Sequence, residues 1–202
     1  MKSIFALFTA AIFLLSCNNS SKKSAFEGST STNVTTAVGT IPDQSIFMLK
    51  DTFESQQKKE LVLADLGGKP TVMAMIFTHC DYACPRLTAD IKTLEEKLKA
   101  EDGKINFVLV SFDSDRDTAA QLLKYAKSLN LDKNWTLLHG DEEAVRTLSV
   151  LLNIQFEKNA EGNFSHSNII SVLGKDGMLV YQKEGLEANQ DQTLSTIRGL
   201  LE

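Results

Sequence analysis

The sequence predicts an α/β fold, a central mixed β-sheet flanked by helices, and three observations predict it. Apolar runs of strand length alternate with stretches of helical periodicity from about Ile41 onward. One of those runs, Thr71-Val72-Met73-Ala74-Met75-Ile76-Phe77, is almost unbroken, as expected of a strand covered on both faces. The chain then finishes in a hairpin pattern followed by one more helix.

Taken in order, Ser45–Leu49 is expected to form a first strand. Leu61–Leu66 leads into Gly67-Gly68-Lys69-Pro70, a turn cluster, and the Thr71–Phe77 strand follows. Pro85 suits the first position of a helix running to about Ala100, because its missing N–H would be unpaired there in any case. Ile105–Phe112 reads as the next buried strand and Asp113–Asp117 as a polar loop. Thr118 followed by Gln121 has the spacing of a capping box for a helix through Leu129. Trp135–Leu138 is a short strand, and Asp141-Glu142-Glu143 places acids at the favourable end of a helix through Leu152. Ile169–Leu173, a Gly174–Gly177 turn and Met178–Tyr181 form a hairpin, and Gln190–Leu201 is the closing helix. This order fits a thioredoxin-like sandwich over residues 41–202.

The first 40 residues read differently. Lys2 supplies a positive start, Ile4 to Leu15 an apolar stretch too short to span a bilayer, and Leu14-Leu15-Ser16-Cys17 has the form of a bacterial lipoprotein cleavage site. Residues 1–17 are therefore expected to be a signal peptide, with Cys17 the acylated residue; an incidental cysteine in an ordinary signal or short anchor is the alternative. Residues 18–40 are rich in Ser, Thr, Asn and Lys and read as a flexible tether with a reach of roughly 25–30 Å. The chain is thus placed in the cell envelope, lipid-anchored and facing the periplasm or the extracellular side. With 202 residues, 43% of them apolar, it can form one domain with a substantial core. Its net charge of −5 and the lack of any basic run argue against nucleic acid as a partner.

The chemistry gathers at Phe77-Thr78-His79-Cys80-Asp81-Tyr82-Ala83-Cys84-Pro85. Both sulfurs fall at the entry of a helix, beside its unpaired N–H groups and positive dipole end, which favours thiolate over thiol. If the linking turn is helical, their β-carbons face the same way about 5–6 Å apart. Such a pair can hold one soft metal ion or close into a disulfide.

This segment resembles the signature of the Sco/SenC family of copper-binding, thioredoxin-fold proteins. The similarity continues through Val110-Ser111-Phe112-Asp113 with Arg116-Asp117-Thr118, through Asn134-Trp135-Thr136-Leu137 with Gly140, and through His166-Ser167 ahead of a strand and Gly174-Lys175-Asp176-Gly177. The resemblance implies copper bound by Cys80, Cys84 and His166. It further implies a supporting role near the site for Asp113, and a copper-enzyme client such as a cytochrome c oxidase subunit. Two thiolates favour Cu(I), and an added imidazole makes a three-coordinate site that also accepts Cu(II). Taken without the family, His166 reads as a solvated loop histidine. The chain departs from the family at Asp81-Tyr82-Ala83, where Pro-Asp is common, and at Ser165, where Asp often precedes the histidine.

Other residues attract blander readings. His79 and Cys80 would point to opposite faces of a strand, so both cannot easily serve one metal. His139 and the run Lys58-Lys59-Glu60 read as ordinary surface features, and Met73 and Met75 as core. Asp113 and Asp117 shape a loop and cap a helix more readily than they bind metal. Arg86 either stabilises a thiolate or contacts a partner.

Three functions compete. The first is a membrane-tethered copper metallochaperone. The second is a thiol–disulfide oxidoreductase that keeps a partner's copper-ligand cysteines reduced, for which Cys80 and Cys84 are the redox-active pair. The third is a peroxidase or redox sensor. Only the first needs His166. A general disulfide exchanger is disfavoured, because none of Pro42, Pro70 and Pro85 lies near Phe164–Ile169, where a thioredoxin has its proline. Turnover is not required by the leading reading, so no enzyme activity is assigned.

Overall fold

The computed structural model describes residues 43–186 and 189–202. The expected signal peptide with Cys17 and the expected tether over residues 18–40 lie outside the described residues. Nine strands and four α-helices are described: β1 (Thr52–Ser55), β2 (Glu60–Val62), β3 (Thr71–Ile76), α1 (Ala83–Lys97), β4 (Asn106–Ser111), α2 (Ala119–Ser128), β5 (Trp135–His139), α3 (Glu142–Leu151), β6 (Phe156–Lys158), β7 (Phe164–His166), β8 (Ile169–Leu173), β9 (Leu179–Glu184) and α4 (Asp191–Gly199).

Seven strands make one mixed sheet in the order β2-β1-β5-β4-β3-β8-β9. At its centre β3 runs parallel to β4, with Thr71 opposite Asn106 and Ile76 opposite Ser111, and antiparallel to β8, with Thr71 opposite Leu173. Every residue of β3 is buried, which is why the run carries no polar alternation. Met73 and Met75 lie in the core, at 0% and 1% exposure. The fold is the thioredoxin-like sandwich the element order predicts. Among the described residues no helix is long and apolar enough to cross a membrane.

Three local expectations are corrected. Ser45–Leu49 is not a strand: Ile46–Met48 form a short 3-10 turn, capped by Ser45 Oγ, which accepts from the Phe47 N–H at 3.1 Å. The turn buries the adjacent side chains of Ile46 and Phe47 together, which a strand, with its alternating faces, cannot do. It seats against Gly177, whose φ of +79° and close approach (a β-carbon would lie 2.6 Å from the Phe47 ring) both require glycine.

Helix α1 begins at Ala83, so Pro85 occupies its third position and not its first. Its ring is still tolerated, because N–H groups in the first turn have no partner within the helix. The capping box at α2 is only half formed. Thr118 Oγ1 accepts from the Gln121 N–H at 3.3 Å, but the Gln121 side chain donates to Thr78 Oγ1 at 3.0 Å. Gln121 thus ties α2 to the loop that leads to the cysteines.

Candidate metal centre

The site lies where β3 gives way to α1. Phe77, Thr78 and His79 carry the chain out of the sheet, and Asp117 fixes their path. Asp117 is 1% exposed, and its carboxylate accepts from the Thr78 N–H at 2.8 Å, from Thr78 Oγ1 at 2.5 Å and from Ser111 Oγ at 2.6 Å. His79 Nδ1 stands 3.5 Å from the same carboxylate, on a ring that is 43% exposed.

The chain then turns through Cys80 and enters α1. Cys84 is fully buried and Cys80 half-buried, both as free thiols. The Cys84 N–H donates to Cys80 Sγ at 3.3 Å, and the Phe77 N–H donates to Cys84 Sγ at 3.5 Å. The two sulfurs share one proton unequally. The Cys84 thiol donates to Cys80, and with the backbone N–H groups of Tyr82, Ala83 and Cys84 it lowers the Cys80 pKa to about 5. Cys84 is held protonated by the same bond and by burial, so its pKa is pushed up. The helix-entry placement read from the sequence therefore acts on one cysteine only.

His166 arrives on a stretch between α3 and β8 for which the sequence predicts no element. Strands β6 and β7 form a separate antiparallel hairpin, with Phe156 opposite His166 and Lys158 opposite Phe164. The signal in the sequence is slight, one phenylalanine in each three-residue strand (Phe156 and Phe164) on either side of a turn stretch that includes Gly162. His166 is thus the last residue of β7, where the sequence placed it in the approach to β8. His166 Nδ1 lies 3.1 Å from the Ser167 carbonyl. That oxygen can only accept, so Nδ1 carries a proton, and in the neutral ring the Nε2 lone pair faces the sulfurs. Nε2 is 3.6 Å from Cys84 Sγ. Sulfur, sulfur and imidazole nitrogen all lie within 4.8 Å of one another, on the side of an open recess lined by Tyr82, Phe164 and Asn168. A donor set of two sulfurs and one nitrogen at this spacing suits a soft or borderline ion such as copper.

The hairpin seats on the main fold through rings. Phe112 stacks on Phe156 at 5.1 Å and meets Phe164 and His166, each at 5.0 Å; Phe77 meets Phe164 at 5.2 Å.

His79, Asp113 and Asp117 also bring ligand atoms within 4.8 Å. The Asp117 oxygens already accept three hydrogen bonds, and Asp113 Oδ2 accepts from Arg116 Nε. This second group is a hydrogen-bonded hub that shapes two loops. Asp113 pairs with Arg116 and with Lys158 of the hairpin that carries His166. His139, on β5, pairs with Glu54 of β1 at 2.8 Å, and Arg86 lies 5.3 Å over the ring of Tyr82. Tyr82, 67% exposed, stands between the cysteines on the rim.

Residues 43–202 match the family model described as SCO1/SenC. A SCO1 protein homolog of Bacillus subtilis is 29% identical over 143 residues, which is 67% of this chain and 72% of that protein. The crystal structure of a SCO1/SenC family lipoprotein from Bacillus anthracis superposes with a TM-score of 0.70 at 26% identity, covering 75% of this chain and 92% of that one. Bradyrhizobium japonicum ScoI, solved with copper bound, shares the fold with a TM-score of 0.65 at 22% identity, over 74% of this chain and 96% of that one.

Proposed function

The chain belongs to the SCO1/SenC family, and on that footing we propose that it is a copper carrier of the cell envelope. Cys80, Cys84 and His166 hold one copper ion as cargo, and the protein delivers it to an extracytoplasmic copper enzyme. By family, the client is the dinuclear copper site of a cytochrome c oxidase subunit, with nitrous oxide reductase a further candidate. Acylation at Cys17 and the tether over residues 18–40 keep the carrier at the membrane. In support, the B. anthracis relative is itself a lipoprotein and the B. japonicum relative holds copper.

The observation that carries the reading is the meeting of three ligand atoms from two distant segments, 82 residues apart. With the Nδ1 proton given to the Ser167 carbonyl, the neutral imidazole turns its Nε2 lone pair to the sulfurs, as a third metal ligand requires. Cys80 is half-buried beside an open recess, which suits release of the ion to another protein's ligands. When the ion binds, Cys84 must give up its proton, so binding releases protons and strengthens as pH rises.

A second reading rests on the pair itself. A thiolate at Cys80 with a protonated neighbour at Cys84 is the arrangement of a dithiol reductant. On this reading the protein reduces the cysteines of a client's copper site, and Cys80 and Cys84 leave as a disulfide. The two readings part at His166.

The test is anaerobic Cu(I) titration of the reduced full chain in detergent, with Cys17→Ser throughout to remove the third thiol. One ion bound tightly, more weakly in His166→Ala and lost in Cys80→Ser, is the expected result. Binding indifferent to His166 would overturn the three-ligand site and leave thiol exchange as the function.

A further inference from the structure

We propose that Arg116 is a positioning residue that clamps the hairpin bearing His166, and that the clamp sets the preference of the site between Cu(II) and Cu(I). This rests on the copper reading above. Strands β6 and β7 form no ladder with the seven-stranded sheet, so the imidazole is only as well placed as the hairpin is held. Besides Arg146 of α3, which lies 5.3 Å over the Phe156 ring, two kinds of contact hold it. One is the set of rings around Phe112. The other is a charged link between the loop after β4 and the hairpin.

That link is built on Asp113, whose side chain is fully buried. Arg116 Nε donates to Asp113 Oδ2, and Arg116 Nη2 donates to the carbonyl of Gly162, in the turn between β6 and β7. Lys158, on β6, stands 3.8 Å from Asp113 Oδ1 and 2.6 Å from Asp115 Oδ2. Among the described residues Asp113 Oδ1 has no hydrogen-bond partner, and the buried anion is compensated by one cation from its own loop and one from the hairpin. The carboxylate therefore attracts the hairpin as well as its own arginine. The guanidinium suits the bridge because its donors are fixed in a planar fork, one reaching the carboxylate and one the carbonyl. A lysine at 116 would keep the charge but not the planar fork that spans the carboxylate and the carbonyl.

The consequence follows from the different needs of the two ions. Two thiolates supply most of the binding of soft Cu(I), to which the imidazole adds a smaller part, whereas Cu(II) depends on the added imidazole. Loosening the hairpin subtracts from the imidazole contact and leaves the cysteines, which are fixed by β3 and α1, in place. Cu(II) affinity falls steeply and Cu(I) affinity only slightly. A purely structural role for Arg116 would lower both together, or neither.

The experiment compares the Arg116→Ala and Arg116→Lys variants, with His166→Ala alongside, in the same Cys17→Ser chain in detergent. Each is titrated anaerobically with Cu(I) and with Cu(II), the latter followed by thiolate-to-Cu(II) absorption. Outer partners of metal ligands change affinity by about 10–100-fold, so Arg116→Ala is expected to weaken Cu(II) by about tenfold or more and Cu(I) by less than about threefold. Arg116→Lys should fall between Arg116→Ala and the parent. In the metal-free protein, amide exchange across residues 156–166 should quicken in Arg116→Ala while the sheet amides keep their protection. If Arg116→Ala does not fold, Arg116→Lys decides by the same ratio of the two affinities. Equal loss for both ions, or unchanged Cu(II) binding in a chain that loses it in His166→Ala, overturns the clamp. Copper binding that ignores His166→Ala overturns the copper reading, and the clamp falls with it.

Discussion

His166 Nε2 stands 3.6 Å from Cys84 Sγ, although the two residues are 82 apart in the chain. Cys84 is the less accessible of the two cysteines and the more strongly protonated. The imidazole therefore faces the sulfur that must lose its proton for a metal to bind, while Cys80, already inclined to ionise, is presented to the recess. One thiolate is available for attack or capture, and the other is revealed by the ligand.

The asymmetry of the pair predicts a pH profile. The folded pKa of Cys80 is lowered from 9.0 to about 5. The stability this contributes is present above the unfolded thiol's pKa and is lost as pH falls toward about 5. Alkylation of the reduced, metal-free protein by iodoacetamide should therefore stay fast from about pH 8 to pH 6 and drop near pH 5, with Cys80 labelled and Cys84 spared. A rate that falls tenfold per unit from about pH 8 downward, as for a free cysteine, would contradict the shared-proton account.

Oxidation should empty the site. The two sulfurs lie within 4.8 Å of each other, close enough that a modest movement of the half-buried Cys80 side chain closes a disulfide. Closing the bond removes two of the three ligands and both thiolates. Copper added to the oxidised protein should pass through a desalting column unbound, and treatment with a dithiol reductant should restore one equivalent. Retention of copper by the oxidised form would mean that other residues hold the ion.

Asp117 is expected to matter for stability more than for ligation. Its carboxylate accepts three hydrogen bonds in a site with 1% exposure, two of them from Thr78. Asp117→Ala strands these donors, at a cost of about 2–4 kcal/mol given the penalty for buried unpaired groups. Urea denaturation of the reduced, metal-free protein measures this directly. A change below about 0.5 kcal/mol would show that the loop carries its own conformation.

Much of this was legible in the sequence, and the exceptions share a cause. The run Thr71–Phe77 declared β3 because a strand buried on both faces needs no polar alternation, and Asp141 with its acids declared the start of α3. The Cys80–Cys84 segment announced its chemistry by residue type and spacing alone. The hairpin carrying His166 did not, because strands of three residues hold too few side chains to show a period, and what seats them is the ring of Phe112, more than 40 residues earlier. Gln121 misled in the same way. Its local partner would have been the N–H of Thr118, yet its side chain went to Thr78 on the neighbouring loop. Ser45–Leu49 had the composition of a strand, but the glycine corner at Gly177 rewards a turn that buries two successive side chains. In each case a distant contact outweighed a local preference.

Phe112 separates fold from function in a final experiment. Its ring contacts Phe156, Phe164 and His166 on the hairpin and Phe77 at the end of β3, with centroids 5.0–5.5 Å apart. Truncation of a buried phenylalanine typically costs about 3–5 kcal/mol, the larger figure where the site cannot collapse. Here one side of the void is the hairpin, which is joined to the main sheet by side chains and can close inward, so a loss of about 3 kcal/mol or somewhat less is expected for Phe112→Ala. The collapse would carry His166 with it. Phe112→Leu, which keeps most of the apolar surface but no ring against the imidazole, should cost only about 1 kcal/mol. Chemical denaturation gives the first quantity and copper titration the second. If Phe112→Ala lowers stability by the expected amount and leaves the effect of His166→Ala on copper affinity unchanged, the imidazole is held by the charged link alone. If both fall together, the ring of Phe112 is the floor on which the third ligand is set.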